Sequence, residues 1–185
     1  VRDIVMWSTL MSGYVRHGQG ETALNCFERM QHEGLSPNNI IFTFALKACG
    51  IAKAIDKGKE IHDDIVSNGL LENDIVLGTA LVDMYCRCGA LVKAQQILNG
   101  FLFRDVVVWN TLISEYVKNG QFEDVFSSYK RMQNEGLSPD TITFACILKA
   151  CGIKGELGRG KYVHSVIYSM GFLGKGAMLG TALVD

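Results

Sequence analysis

The chain has 185 residues, of which 48% are hydrophobic and 20% charged, and its formal net charge at pH 7 is −1. This composition is ordinary for a folded protein and supplies enough apolar side chains for a continuous core. A net charge so close to zero excludes a global positive field, so a site for a polyanion must be a local group of cations. No apolar run approaches the roughly 18 residues that a membrane span needs, and no segment resembles a signal or transit peptide.

The first predicted unit spans residues 4–38 and contains two helices. Apolar side chains recur at helical spacing from Val5 onward, and Gly18 is predicted to end this first helix. A second amphipathic helix follows, and Gly34 and Pro37 are predicted to stop it. Residues 4–38, unit one, therefore form a helix–turn–helix unit.

Two further units follow with the same plan. In unit two, residues 39–74, the first helix is predicted to end near Cys49-Gly50 and the second at Asn68-Gly69. Unit three, residues 75–105, is shorter. The later chain copies this order as unit four at residues 106–140, unit five at residues 141–176 and a truncated copy of unit three at residues 177–185.

The copying is shown by a constant offset of 102 residues between matching landmarks. A single spacing for several landmarks indicates an internal duplication, and repeats of this length are typical of stacked helical arrays. The matching pairs are Trp7 with Trp109, Pro37 with Pro139, Cys49 with Cys151, and Gly78 with Gly180.

A single unit of this size cannot bury both of its faces, whereas stacked units share a continuous core. The alternating pattern of β-strands and the turn signals of hairpins are absent. The sequence therefore predicts an all-α fold, a right-handed α-solenoid superhelix of helix–turn–helix repeats, as one array over residues 1–185. Trp7 and Trp109 have apolar neighbours and are predicted to pack between units rather than to stack on a base.

Neither a catalytic nor a metal site is predicted within the chain. Cys86 and Cys88 are too close in sequence for a zinc knuckle, and His62 and His164 lack partners at metal-ligand spacing. The zinc signature of deaminases, a phosphate loop and a nucleophile elbow are also absent. We therefore expect no catalytic residue, no metal and no cofactor here, while a catalytic domain beyond Asp185 stays open. The six cysteines are expected to be reduced, small hydrophobic residues.

Several segments resemble the pentatricopeptide repeat (PPR) family. Residues 107–113 and 132–140 look like the start and end of its ordinary unit, residues 46–49 with 58–62 like its long unit, and residues 78–89 like its short unit. The order ordinary, long, short resembles the plant-type PLS subclass. The resemblance implies single-stranded RNA binding in mitochondria or chloroplasts, one unit per nucleotide, and for this subclass the specification of cytidine-to-uridine editing sites. Editing or processing protein cofactors are further expected partners, and no membrane is expected.

The resemblance also implies which residues read bases. In the family the fifth and last residues of a unit hydrogen-bond the base edge, and the second residue wedges against the base face. The fifth residues here are Ser8, Thr43, Thr79, Asn110 and, in the truncated unit, Thr181, and the last residues are Asn38, Asp74, Asp105 and Asp140. The wedging residues are Val5, Val76 and Val107.

Donor and acceptor matching then implies a base for each unit. An Asp carboxylate accepts from the ring N–H of guanine or uracil, and an Asn amide donates to adenine or cytosine. In the family, Ser or Thr at the fifth position goes with purines and Asn with pyrimidines. Ala145 and Gly176 in unit five offer no side-chain hydrogen bond, and long units follow the pattern poorly. The implied register is 5′-A-(G?)-G-U-N-3′. The question mark stands at unit two, which is a long unit.

These readers have an alternative interpretation. Asp105 and Asp140 precede helices, where a carboxylate can cap backbone N–H groups. Ser8, Thr79 and Asn110 could be polar residues of an exposed face. Their recurrence at fixed offsets in a family-like array favours base reading.

Phosphate contacts are expected from cations near the end of each first helix. Arg16, Arg87 and Lys118 are thirteenth in their units, and Lys47 and Lys149 recur in the long units. Neutralising about three phosphates would give a salt slope of about −2 for a single strand. The alternative is that these cations only favour the helix dipole, and both roles are compatible.

The rival function is a helical-repeat scaffold that binds a protein, as tetratricopeptide arrays do. Arrays of that class use units of 34 residues with a Trp-x-x-Leu-Gly signature. The unit lengths here and the polar fifth residue favour RNA binding instead.

Overall fold

The computed structural model describes residues 3–71, 74–101 and 104–171. Within these ranges every regular element is a helix, which confirms the predicted all-α class of helix–turn–helix repeats. Of these helices, none is long and apolar enough to cross a membrane. The helices are α1 Ile4–Arg16, α2 Gly20–His32, α3 Asn39–Ala52, α4 Ile55–Ser67, α5 Ile75–Arg87, α6 Leu91–Gly100, α7 Val106–Lys118, α8 Phe122–Asn134, α9 Thr141–Lys154 and α10 Leu157–Ser169.

The odd-numbered helices begin with a side-chain cap. An Asp or Asn lies just before each of them in extended backbone, and its side-chain oxygen accepts from the backbone N–H three residues later. The even-numbered helices have no such side-chain bond at their start. Gly34 and Gly136 follow α2 and α8 with φ of 78°, a left-handed conformation that ends a helix at little cost for glycine.

The predicted end of α3 near Cys49-Gly50 is wrong, because the helix continues to Ala52. It ends where Lys53 adopts a left-handed conformation, with φ of 58°. A Cβ added to Gly50 would lie 2.8 Å from Cδ of Arg87, so this glycine permits the close approach of α5. The second copy behaves alike, since α9 continues past Cys151 to Lys154.

The cysteines are free thiols, and the predicted burial holds for Cys49, Cys86 and Cys151, whereas Cys26, Cys88 and Cys146 are half-buried. Burial, and to a lesser extent the neighbouring Cys88 thiol, raises the pKa of Cys49 to about 12. A thiol with so high a pKa carries almost no thiolate at neutral pH and is chemically inert.

The chain forms two compact bodies, residues 1–104 and residues 105–185. In the first body α3 is central and packs against α1, α2, α4 and α5. In the second body α7 packs against α8 and α9, and α9 packs against α10. Trp7 and Trp109 are 1% and 0% exposed, which confirms that both indoles belong to the core.

Candidate nucleic-acid interface

The last residue of each of units one to four is the N-cap of the helix that follows. Asn38 accepts from the Ile41 N–H at 3.0 Å, and Asp105 accepts from the Val108 N–H at 2.9 Å. Asp74 and Asp140 cap α5 and α9 in the same way. The capping interpretation therefore holds, but a carboxylate has two oxygens with about four acceptor sites, so a cap can also accept from a base.

In unit four the two predicted readers contact each other. Nδ2 of Asn110 donates to Oδ1 of Asp140 at 3.0 Å. The Thr143 hydroxyl lies within 2.7 Å of Oδ1 of Asn110 and 3.0 Å of Oδ1 of Asp140. Asn110 is only 6% exposed, so it is not an ordinary surface amide. The structure thus brings a donor and an acceptor together at the start of α9.

The Asp140 carboxylate in this pair is ionised at neutral pH. Partial burial opposes ionisation of Asp140, but hydrogen bonds that include those from the Thr143 backbone and the Asn110 amide outweigh it. The pKa of Asp140 therefore lies below its usual value. An ionised carboxylate only accepts hydrogen bonds, which is the property that the base-reading hypothesis requires.

The hydroxyl readers behave differently from Asn110. Ser8 donates to the carbonyl of Val5 at 2.8 Å, and Thr43 donates to that of Asn39 at 2.8 Å. Thr79 donates to the carbonyl of Ile75 at 2.7 Å. Because each proton is engaged by the reader's own helix, the oxygen that remains presents acceptor sites.

The pairing of these hydroxyls with the last residues is not direct. The structure shows no hydrogen bond from Ser8 to Asn38, or from Thr43 to Asp74, within the residues it describes. Thr79 belongs to the first body and Asp105 to the second. Of the predicted pairs, direct contact is seen for Asn110 and Asp140.

Asn39, the first residue of unit two, contacts the predicted reader Asp74, and the sequence did not reveal this contact. Its Nδ2 donates to Oδ2 of Asp74 at 2.7 Å, while Oδ1 of Asp74 accepts from the Leu77 N–H at 2.9 Å. Both carboxylate oxygens are therefore engaged within the protein. An Asn at the first position was the available signal, because units one, three, four and five begin with other residues.

The second residue of each of units one to five is an exposed β-branched aliphatic side chain. The predicted wedges Val5, Val76 and Val107 share this property with Ile40 and Ile142 of the long units, which the sequence reasoning missed. All five side chains are between 46% and 66% exposed. Single exposed aliphatic residues are common, but recurrence at one position of units one to five favours a shared contact role.

The predicted phosphate contacts are all exposed, and they differ in their ion pairs. Arg87 pairs with Asp83 at 2.8 Å and Lys118 with Glu115 at 2.5 Å, each within its own helix. Lys47 and Lys149 have no ion pair among the described residues, and they lie within α3 and α9 rather than at the helix ends. Arg16, Arg87 and Lys118 are the last residues of α1, α5 and α7.

Two of these cations lie near one side chain in the second body. Burial raises the pKa of Cys146, and the positive charges of Lys149 and then Lys118 oppose that rise. Asp140 also acts on this thiol and raises its pKa. The charges of Asp140, Lys118 and Lys149 therefore all act on the Cys146 thiol. The predicted reader Thr181 and residue Gly176 lie outside the described residues.

Family models match most of the repeat pattern. Residues 2–51 and 104–152 match the model of the PPR repeat family, and residues 79–104 match that of the PPR repeat. The chain is 35% identical over 170 residues to a pentatricopeptide repeat-containing protein of Arabidopsis thaliana named as chloroplastic, a match that covers 92% of this chain and 21% of the relative. A relative from the same plant, named as mitochondrial, is 29% identical over 184 residues, covering 99% of this chain and 26% of its own.

The solved structures give the same fold. The chain is similar to the maize pentatricopeptide repeat protein PPR10, solved in complex with an 18-nt psaJ RNA element. The TM-score is 0.74 at 18% identity, and the match covers 88% of this chain and 24% of PPR10. At this identity the likeness shows the helical-repeat fold alone. Because the PPR repeat family model covers more than half of the sequence, the chain belongs to the pentatricopeptide repeat family.

Proposed function

We propose that this chain binds single-stranded RNA in a sequence-selective way, with one unit for each nucleotide. The observation that carries the proposal is the contact between Asn110 and Asp140. It sets an amide donor beside an ionised acceptor where the family resemblance expects a base to be read. The crystal structure of PPR10 contains a bound RNA element, which supports RNA as the class of ligand.

The unit-four pair matches uracil. Uracil presents a ring N–H between two carbonyl oxygens, so the Asp140 carboxylate accepts from the ring and the Asn110 amide donates to a carbonyl. Cytosine has no proton on that ring nitrogen and would place a lone pair against the carboxylate. The exposed Val107 at the second position supplies an apolar surface for the base face.

The proposed register is 5′-A-G-G-U-N-3′ for units one to five. Asn38 keeps its side-chain NH2 group as a donor for adenine, because its oxygen is used by the cap. In unit two, Asp74 uses one oxygen for the cap and the other for Asn39, so its selectivity for guanine is expected to be lower than that of unit three. Ala145 provides no side-chain hydrogen bond in unit five.

The biological setting follows from the relatives and the unit order. Relatives are named as chloroplastic and as mitochondrial, so we place the protein in one of these organelles. The order of ordinary, long and short units supports the PLS subclass and a role in specifying cytidine-to-uridine editing sites. In this role the residues of this chain supply the binding, and editing or processing factors are expected protein partners.

Salt dependence tests whether RNA lies along the odd-numbered helices. Each lost phosphate contact should reduce the slope of log affinity against log salt by about 0.7 for a single strand. Replacing Lys47 and Lys149 together with glutamine is therefore expected to reduce the slope by about 1.4. Fluorescence anisotropy with a labelled RNA between about 50 and 200 mM salt measures this slope.

A control is Lys130→Gln, which makes the same type of substitution and removes one positive charge from the exposed side of α8. This variant should keep the wild-type slope. Equal slopes for the double variant and the wild type would contradict the assignment of Lys47 and Lys149 to phosphates. Absence of any RNA binding by the wild type would instead favour a protein-binding scaffold.

A further inference from the structure

Thr143 is the third residue of unit five, yet its side chain lies in the reading site of unit four. It is 0% exposed, and its hydroxyl lies 2.7 Å from Oδ1 of Asn110. The Asp140 backbone N–H donates to the same hydroxyl oxygen at 3.1 Å. Thr143 also completes the capping box at the start of α9. One buried hydroxyl therefore connects the cap to both readers.

Counting hydrogens fixes the direction of each bond. The Thr143 hydroxyl has one proton, and the shorter of its two contacts is to Oδ1 of Asn110. Oδ1 of Asp140 already accepts from the Thr143 backbone N–H at 2.9 Å and from Nδ2 of Asn110 at 3.0 Å. The hydroxyl proton is therefore assigned to Asn110, which closes a ring of hydrogen bonds.

This ring permits one orientation of the Asn110 amide. Rotating the amide by half a turn would place its oxygen where Nδ2 now lies, 3.0 Å from Oδ1 of Asp140. Two acceptors at that distance repel each other, and a buried acceptor without a donor costs about 1–3 kcal/mol. The amide therefore keeps its oxygen toward Thr143, and the second hydrogen of Nδ2 is the group that Asn110 can offer to a base.

The other described units lack a hydroxyl at the third position after the cap. The corresponding residues are Met6, Ile41, Leu77 and Val108, of which Met6 is exposed and the other three are buried. The fifth residues of units one to three are Ser8, Thr43 and Thr79, whose hydroxyls are oriented by their own helices. Only the amide reader, among these, has an external group to orient it.

We propose that Thr143 is a positioning residue that sets the base selectivity of unit four by holding the Asn110 amide in its donating orientation. Base choice in unit four is then determined partly by unit five. The inference rests on the proposed function, because it assumes that Asn110 and Asp140 read the fourth nucleotide.

The test compares the 185-residue chain with Thr143→Val and Thr143→Ser. Affinities are measured for RNAs that carry uracil or cytosine at the fourth position of 5′-A-G-G-N-N-3′. The preference for uracil is expected to fall about five- to tenfold in Thr143→Val, as loss of one hydrogen bond to the reader implies. Thr143→Ser keeps the hydroxyl and should keep the preference. Thr141→Val, on the same turn of α9, is the control and should change nothing.

A measurement without RNA separates this inference from the proposed function. The pKa of Asp140 is followed by NMR. It is expected to rise in Thr143→Val, because the Asn110 amide is no longer held by the hydroxyl and its Nδ2 hydrogen bond, which lowers this pKa, weakens. Circular dichroism verifies that each variant is folded, and Thr143→Ala replaces Thr143→Val if the latter does not fold.

The outcomes are distinct. A wild-type preference for uracil that Thr143→Val leaves unchanged would overturn the role of Thr143 and leave the proposed function standing. An unchanged pKa of Asp140 in the folded variant would also overturn it. A wild type without preference at the fourth nucleotide would overturn both, since there would be no selectivity for Thr143 to set.

Discussion

Replacing Asn110 with threonine is expected to change the preferred fourth base from uracil to guanine. The new hydroxyl would donate to the carbonyl of residue 106, as Thr43 and Thr79 donate to theirs four residues earlier. The amide donor is then replaced by an acceptor, and the pair with Asp140 becomes the Thr–Asp combination predicted for guanine in unit three. Affinity for the uracil RNA should fall about tenfold to hundredfold, the usual value of one specific base contact.

The measurement uses four RNAs that differ in the fourth base, at one fixed salt concentration. Thr111→Asn is the matched control, because Thr111 adjoins the reader and its hydroxyl donates to Val107 of its own helix. This variant should keep the uracil preference. If Asn110→Thr also keeps it, Asn110 is not the reading residue.

Gly20→Ala is expected to destabilise the first body by about 1–3 kcal/mol. A Cβ at Gly20 would lie 2.6 Å from the carbonyl oxygen of Ala48 and 2.8 Å from the backbone nitrogen of Ala52. Backbone atoms of α3 cannot rotate away as a side chain can, so α2 and α3 must separate. Urea denaturation of the variant and the wild type measures the difference in the free energy of unfolding.

Gly13→Ala is the control within the same body. Gly13 lies inside α1, and an added Cβ would meet nothing within 4 Å. Alanine is favoured over glycine inside a helix, so this variant should gain about 0.5–1 kcal/mol. Equal effects of the two substitutions would contradict the close packing of α2 on α3 at Gly20.

The helices were largely predictable because their signals are local. Apolar spacing and the stops at Gly34 and Asn68-Gly69 depend on neighbours within one or two turns. The end of α3 was predicted wrongly because Gly50 was interpreted as a local stop. Its role depends on Arg87, which is distant in sequence and close in space. Single-sequence patterns cannot distinguish these two uses of glycine.

The candidate site was predictable only in part. The resemblance identified Asn110 and Asp140, and the structure shows them in contact. Asn39 and Thr143 were not identified, because each acts on a residue about one unit away in the chain. Such contacts require the spacing of neighbouring helices, which the sequence pattern alone does not provide. The Ser and Thr readers donate to carbonyls of their own helices, and these contacts are local. Packing nevertheless also decides which acceptor such a hydroxyl uses.

The most direct test of sequence reading is the affinity of the wild-type chain for a short RNA carrying 5′-A-G-G-U-N-3′, against RNAs with the same bases scrambled. Both are measured at about 150 mM salt, where non-specific attraction to phosphates is screened beyond about 8 Å. Binding of the register RNA is expected to be at least about tenfold tighter, since each mismatched position costs about 1–3 kcal/mol. Equal affinity for all of the RNAs would contradict one-unit, one-base reading by this chain.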